Sequence, residues 1–282
     1  DKYVQSLLAV VCRQLIKKEK MDFTTIQIGI EKNVVRIALN RPDKHNAMNI
    51  TMIKELTEAI EWIDNRDDIR VIEICGNGKS FCSGADINYM KDIASYGYVQ
   101  NLEDAQRMSK LFQKIYFCKK PIITLVHGAV IGGGNGIIAA SDIVLAEKNT
   151  VFAFSEVRLG ITPATISPFV IARCGEMTAR ELMLSGRNFD ANEARNYNLV
   201  NYVDDIQGLN KKLDFFIDCF LKSSPNAIAD CKNLIRGVCG RGDVNSDVFL
   251  NTAIIIAQER MSADGQEGMK AFLEKRKPEW ME

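Results

Sequence analysis

The residues with the plainest chemical meaning in this chain are glycines. Gly128-Ala129-Val130-Ile131-Gly132-Gly133-Gly134-Asn135-Gly136 runs into the apolar stretch Ile137 to Ala140. Three consecutive glycines entering a helix leave main-chain N–H groups bare, and the helix start adds a partial positive charge. Such a place suits an oxygen that becomes negative during a reaction. A second turn of similar character lies upstream, at Ser80-Phe81-Cys82-Ser83-Gly84-Ala85-Asp86-Ile87. Taken singly, either cluster reads as a tight turn. Together they point to a site built from main-chain donors.

Other chemistries are sparsely supplied. There are only two histidines, His45 and His127, with no HExxH-like spacing, so a metal site is not expected. His127, between Val126 and Gly128 at a strand end, reads as structurally satisfied rather than catalytic. Eight cysteines at 12, 75, 82, 118, 174, 219, 231 and 239 form no CxxC pair and read as reduced, mostly buried thiols of a cytoplasmic protein. Thirty-six basic and thirty-six acidic residues balance to a formal net charge of zero, which favours neither a nucleic-acid nor a membrane partner. No apolar run approaches the length of a membrane span.

The elements that must carry these turns follow from periodicity. Thr25 to Ile30 and Val34 to Leu39 predict two strands joined by Glu31-Lys32-Asn33, with Asn40-Arg41-Pro42-Asp43 breaking the second. Asn49 is placed to cap a helix whose Met52, Leu56, Ile60 and Ile63 share one face. Val71 to Cys75 and Pro121 to Val126 read as buried strands, with a helical region between them that starts at Asp86, breaks near Gly97 and resumes from about Leu102 to Phe117. A helix over 134 to 140 leads to strands at Ile143 to Ala146 and Val151 to Phe154. Strands alternating with helices imply a largely parallel sheet. From Pro168 the pattern reads as helical almost to the end, with Gly186 and Asn188 marking turns.

Residues 1 to 20 stand apart. Val4, Leu7, Leu8, Val11 and Leu15 fall at helical spacing ahead of Lys17, Lys18 and Lys20, and Met21 reads as a natural start. Asp1 and Glu19 argue against a transit peptide, so the segment is expected to be a dispensable extension. The expected organisation is therefore an extension over 1–20, an α/β core over 21–200, and a helical C-terminal part over 201–282.

Several motifs together resemble the crotonase (enoyl-CoA hydratase/isomerase) superfamily. They are Leu39-Asn40-Arg41-Pro42 with Asn46-Ala47-Met48-Asn49, Phe81 to Ile87, Lys120-Pro121-Ile122 with the glycine triplet, and Phe154-Ser155-Glu156-Val157-Arg158-Leu159-Gly160. Glu267-Gly268-Met269-Lys270-Ala271-Phe272-Leu273-Glu274-Lys275-Arg276 closes the match, which runs in the family's order over about residues 23 to 280. The resemblance implies a spiral of ββα units with an α-helical C-terminal part, and assembly as a trimer or dimer of trimers. The implied substrate is an acyl-CoA thioester. Coenzyme A would arrive as part of that substrate, with no further cofactor.

By motif position, the resemblance assigns the oxyanion hole to the N–H groups of Ala85 and Gly133, which would hold the thioester oxygen as it gains enolate character. Hydratases of the family carry two glutamates. Glu156 stands at one of these positions; the other is Gly136, preceded by Asn135, and so lacks its carboxylate. A lone carboxylate raised in pKa by burial can still take a proton from one atom and return it elsewhere. The plainer alternative for Glu156 is a surface ion pair with Arg158. For coenzyme A the resemblance points to Arg41, Lys44, Ala47, Asp86 and Ile87, with Phe272 and Lys275 reaching a molecule held mainly by another subunit. Lys275-Arg276-Lys277 also reads as a solvated helix end.

The run from Ala153 to Ile161 with Pro163-Ala164-Thr165-Ile166-Ser167-Pro168 looks like the bacterial 3-methylglutaconyl-CoA hydratases of leucine degradation. Their substrate ends in a carboxylate, for which Arg158 is a conceivable partner. The leading expectation is thus a hydratase of a short branched enoyl-CoA. The alternatives are a Δ3,Δ2-enoyl-CoA isomerase using the single glutamate and a catalytically weak CoA-binding scaffold.

Overall fold

The computed structural model describes residues 22–239 and, beyond them, 252, 254–256, 258 and 260–281. The expectations for residues 1–20 lie outside the described residues. Strands β1 (Ile26–Glu31) and β2 (Val34–Leu39) form the antiparallel hairpin that the sequence predicts, and helix α1 (Ile50–Asp64) follows. Asn49 caps α1 by accepting a hydrogen bond from Met52 N at 2.9 Å. Next come β3 (Val71–Gly76), α2 (Ile87–Ser95), α3 (Tyr98–Phe117), β4 (Ile122–Val126), β5 (Ala129–Ile131) and α4 (Gly133–Ala140). The chain continues through β6 (Ile143–Glu147), β7 (Val151–Ala153), α5 (Ser167–Ser185), β8 (Asn188–Asp190), α6 (Ala191–Asn196), β9 (Tyr202–Asp204), α7 (Ile206–Leu221), α8 (Pro225–Cys239) and α9 (Ala263–Glu274).

The strands sort into two sheets. The larger has the order β1-β2-β3-β4-β6-β9, parallel except for the first pair. The smaller has the order β5-β7-β8, with β5 and β7 parallel and β8 antiparallel to β7. A strand of the large sheet, a short strand of the small one and then a helix make a unit, seen in β4-β5-α4 and again in β6-β7-α5. This is the α/β spiral that the resemblance implies. The helical expectation from Pro168 onward is overturned at two places. Asn188–Asp190 pairs with β7 instead of turning, and Tyr202–Asp204, inside the 201–282 stretch, adds the last strand of the large sheet.

Strand alternation divides the apolar side chains between two cores. On β4, Ile122 and Val126 face the main core with α1, α3 and α4, while Ile123 and Leu125 face the layer covered by Leu209 and Leu213 of α7. Both faces are buried, which is why β3 and β4 are apolar on both sides, interrupted by the buried Glu73 and Thr124. Cys82, Cys118, Cys174, Cys219, Cys231 and Cys239 are free thiols, but Cys75 is held in a disulfide, so the all-thiol expectation fails for that residue.

Gly128 shows how tightly the turn before β5 is built. Its φ is +61°, and a methyl group there would lie 2.0 Å from the Lys79 carbonyl oxygen. Gly160 has φ +74° but open space around it. Gly128→Ala is therefore expected to destabilise by several kcal/mol, and Gly160→Ala by about 1 kcal/mol from its backbone alone. Equal unfolding midpoints for the two variants in a denaturant titration would contradict this.

Candidate active site

The two glycine-bearing turns meet. Cys82 N donates to Ala129 O at 3.0 Å and Ile131 N to Cys82 O at 2.9 Å, so the Phe81–Cys82 segment runs beside β5. Just beyond it, Met48 N donates to Gly84 O at 2.7 Å and Asp86 N to Met48 O at 2.8 Å. This is a parallel bridge centred on Met48 and Ala85. In that pattern the residues flanking Ala85 do the bonding, and the N–H of Ala85 itself is turned away from Met48. Ala85 is exposed.

Gly133 sits on the other side of the same methionine. A methyl group at Gly133 would lie 2.6 Å from Met48 Sδ, and Gly133 is partly exposed at the first position of α4. A helix's first N–H groups have no partner within the helix. Met48 thus joins the Ala85 turn to the Gly133 turn, and two main-chain donors are presented in one neighbourhood.

Glu156 enters from β7. The strand ends at Ala153, whose carbonyl accepts from Gly132 N at 3.2 Å and from Asn135 Nδ2 at 2.8 Å. Phe154 is buried and stacks on Phe189, ring centroids 6.0 Å apart, before the chain turns through the 3₁₀ helix Ser155–Leu159. These contacts fix the carboxylate's entry, and a methyl group at Gly132 would lie 3.4 Å from Glu156 Oε1. Glu156 Oε2 is buried without a hydrogen-bond partner. Burial raises the carboxyl's pKa above the ordinary glutamate value of 4.5, against a smaller lowering by its own backbone N–H. The expected alternative, an ion pair with Arg158, is not formed among the described residues; Arg158 is exposed and leans on Gly186.

Gly136 is closed rather than vacant. A methyl group there would lie 2.5 Å from Ile166 Cγ2 and 2.6 Å from both Cε1 and Cζ of Phe112. Position 136, where the family's second carboxylate would stand, has no room for a side chain among these atoms. Asn135 is fully buried, its amide donating to Val130 O at 3.2 Å and to Ala153 O, so it ties β5 to β7. Sequence reasoning missed Phe112, Ile166 and Met48. A glycine inside a helix signals a large neighbour, but periodicity does not say which one.

Arg41 bonds Ala47 O at 2.6 Å and Asp86 Oδ2 at 2.7 Å. Lys44 is exposed on the turn Pro42–Lys44, Ala47 is buried, and Ile87 is 72% exposed at the start of α2. Phe272 is 82% exposed near the end of α9, and Lys275 lies just past that helix with φ +55°, not within it. His127 Nε2 donates to Gly78 O, 2.9 Å away, and burial lowers its pKa, which suits a structural role. Among the described residues no group of three or more His, Cys, Asp or Glu is placed to hold a metal ion. No helix among them is long and apolar enough to cross a membrane.

The mixed α/β spiral, with a half-buried carboxylate beside the Gly132–Gly133 turn, is an architecture that solved structures share. An enoyl-CoA hydratase from Shewanella pealeana superposes with a TM-score of 0.89 at 36% identity, over 92% of this chain and 97% of that one. The sequence matches the enoyl-CoA hydratase/isomerase family over residues 29–282, and the chain belongs to that family. Relatives include a short-chain-enoyl-CoA hydratase of Clostridium acetobutylicum, 30% identical over 92% of this chain and 98% of its own length. Another is the mevalonyl-coenzyme A hydratase sidH of Aspergillus fumigatus, 30% identical over 88% and 91%. The protein is an enzyme of hydratase or isomerase type.

Proposed function

We propose that the protein adds water to a short branched enoyl-CoA, 3-methylglutaconyl-CoA being the first candidate. The observation that carries this reading is the Glu156 carboxyl, with one buried oxygen free of any partner, beside the Gly132–Gly133 turn. In the reaction Glu156 takes a proton from water as its oxygen bonds to C3. The C2–C3 π electrons then move into the thioester, giving an enolate whose oxygen is held by the N–H groups of Ala85 and Gly133. Glu156 returns the same proton to C2, the enolate collapses to the thioester, and the net change is one water added. A single carboxylate suffices because it acts first as base and then as acid.

Hydratases among the relatives support this choice, as does the likeness of residues 153–168 to 3-methylglutaconyl-CoA hydratases. Coenzyme A enters as part of the substrate, its nucleotide half passing near Lys44, Ala47 and Ile87. Phe272 and Lys275 serve a neighbouring copy in a trimer or dimer of trimers. The second reading, a Δ3,Δ2-enoyl-CoA isomerase, is favoured by one observation: Phe112 and Ile166 fill the place of a second carboxylate. The same relay would then move a proton between C2 and C4.

The two are separated by supplying 3-methylglutaconyl-CoA and a 3-enoyl-CoA in ¹⁸O water. Loss of the conjugated-thioester absorbance with one labelled oxygen gained is the expected result. Conjugation appearing from the 3-enoyl substrate, with no oxygen gained from either, would replace hydration by isomerisation.

A further inference from the structure

Arg41 is a side chain that a phosphate-bearing substrate would be expected to meet, yet it is bonded to the side chain of Asp86, a residue expected at the coenzyme A site through its backbone. The Arg41 Nη2 to Asp86 Oδ2 distance is 2.7 Å, and both side chains are largely covered, at 17% and 10% exposure. A phosphate approaching Arg41 would have to displace a carboxylate and would be repelled by it. Arg41 Nη1 also donates to Ala47 O at 2.6 Å, the residue before Met48. Arg41 N donates to Asn46 Oδ1 at 2.7 Å and Asn46 N to Arg41 O at 2.9 Å, fixing the start of the same loop.

These bonds close a ring. Arg41 grips the loop carrying Met48, Met48 bonds the residues on both sides of Ala85, and Asp86 returns to Arg41. The other oxygen of Asp86 caps α2, accepting from Asn88 N at 2.8 Å and Tyr89 N at 3.4 Å. A bare main-chain donor needs such bracing. Its aim is set by the peptide plane, and a misplacement of about 1 Å costs on the order of a hundredfold in rate.

We propose that Arg41 and Asp86 are positioning residues that set the direction of the Ala85 amide, and are not contacts for the coenzyme A nucleotide. The proposal rests on the reading of Ala85 and Gly133 as the oxyanion donors.

The test uses Asp86→Asn, which keeps an oxygen for the α2 cap while removing the charge that holds Arg41. Arg41→Gln and Arg41→Lys complete the set, with folding checked by circular dichroism. Steady-state kinetics are paired with the infrared stretch of a ¹³C-labelled thioester carbonyl of bound 3-methylglutaconyl-CoA, measured in a Glu156→Gln background that does not consume it. The expected result for Asp86→Asn and Arg41→Gln is a kcat lowered by about tenfold to a hundredfold. The carbonyl shift should shrink, while KM and the Kd for free coenzyme A stay within about twofold. Arg41→Lys, which can reach Asp86 but lacks the second arm for Ala47 O, should fall between.

A raised KM and Kd with an unchanged carbonyl shift would make these residues nucleotide contacts and overturn the proposal. A lower melting temperature with normal kcat and normal shift would overturn it too, leaving a structural ion pair. If Glu156→Gln alone shows no carbonyl shift on binding, the oxyanion reading itself fails, and the positioning role with it.

Discussion

Glu156→Gln is expected to lower turnover by about a thousandfold while leaving acyl-CoA binding close to unchanged, because a general acid/base is lost and little shape changes. The same substitution should make the protein more stable at neutral pH. The sign follows from burial, which raises the folded-state pKa of Glu156 above the ordinary value of 4.5. A carboxyl raised in this way contributes fully to stability below its unfolded-state pKa, and that contribution is lost as pH rises through the folded-state pKa. Glutamine has no proton to lose. The melting temperatures of the two proteins should therefore lie closest near pH 4 and separate towards pH 7 in favour of the variant. The turnover of the unsubstituted enzyme should rise with pH along an acidic limb whose apparent pKa lies above 4.5. Retained turnover in the variant would remove Glu156 from the mechanism.

Gly136→Glu is the obvious attempt to install a second carboxylate, and it is expected to fail by unfolding the core. Even Gly136→Ala forces a methyl group to within 2.6 Å of the buried Phe112 ring and 2.5 Å of Ile166 Cγ2. Overpacking of this kind costs about 1–3 kcal/mol. Glutamate adds a longer chain and a buried charge to that. The cause can be separated from a general intolerance of α4 by relieving the neighbour. Phe112→Leu alone should destabilise, but in the Gly136→Ala background it should recover part of the loss, a favourable coupling of about 1 kcal/mol. Denaturant titration of the four proteins measures it. Gly136→Glu giving a folded enzyme with faster hydration would show that Phe112 and Ile166 yield, and that the single-carboxylate limit is one of composition, not of space.

How much of this was legible in the sequence depends on the distance over which each signal acts. Asn49, whose oxygen accepts from a residue three positions on, was legible because a helix cap is local. So was the hairpin of β1 and β2, written in alternation and a short turn. Of the small sheet only β7 was, as the strand expected at Val151 to Phe154; β5 and β8, three residues each, are too short to show a period of two. Asn188-Phe189-Asp190 looks like a polar turn until Val151–Ala153 pairs with it. Helix α3 starts at Tyr98, earlier than its apolar spacing suggests, because Gly97 serves as its cap residue. At the site, the glycine runs and Glu156 announced themselves by type. What holds them did not: Arg41 meets Asp86 across 45 positions of chain, and the face closing Gly136 comes from two other segments. A sequence shows which groups are present, and only their juxtaposition shows which of them are already engaged.

The bridge between Met48 and Ala85 has a consequence for how this family member can drift. In the proposed oxyanion site the atom that position 85 presents is a main-chain proton, common to nineteen of the twenty amino acids, so its side chain is under little chemical constraint; only proline would delete the donor outright. Position 133 is different, because Met48 Sδ would stand 2.6 Å from any side chain's first carbon. Two donors of one kind are thus expected to leave opposite traces in descendants of this chain, variety at 85 and glycine at 133.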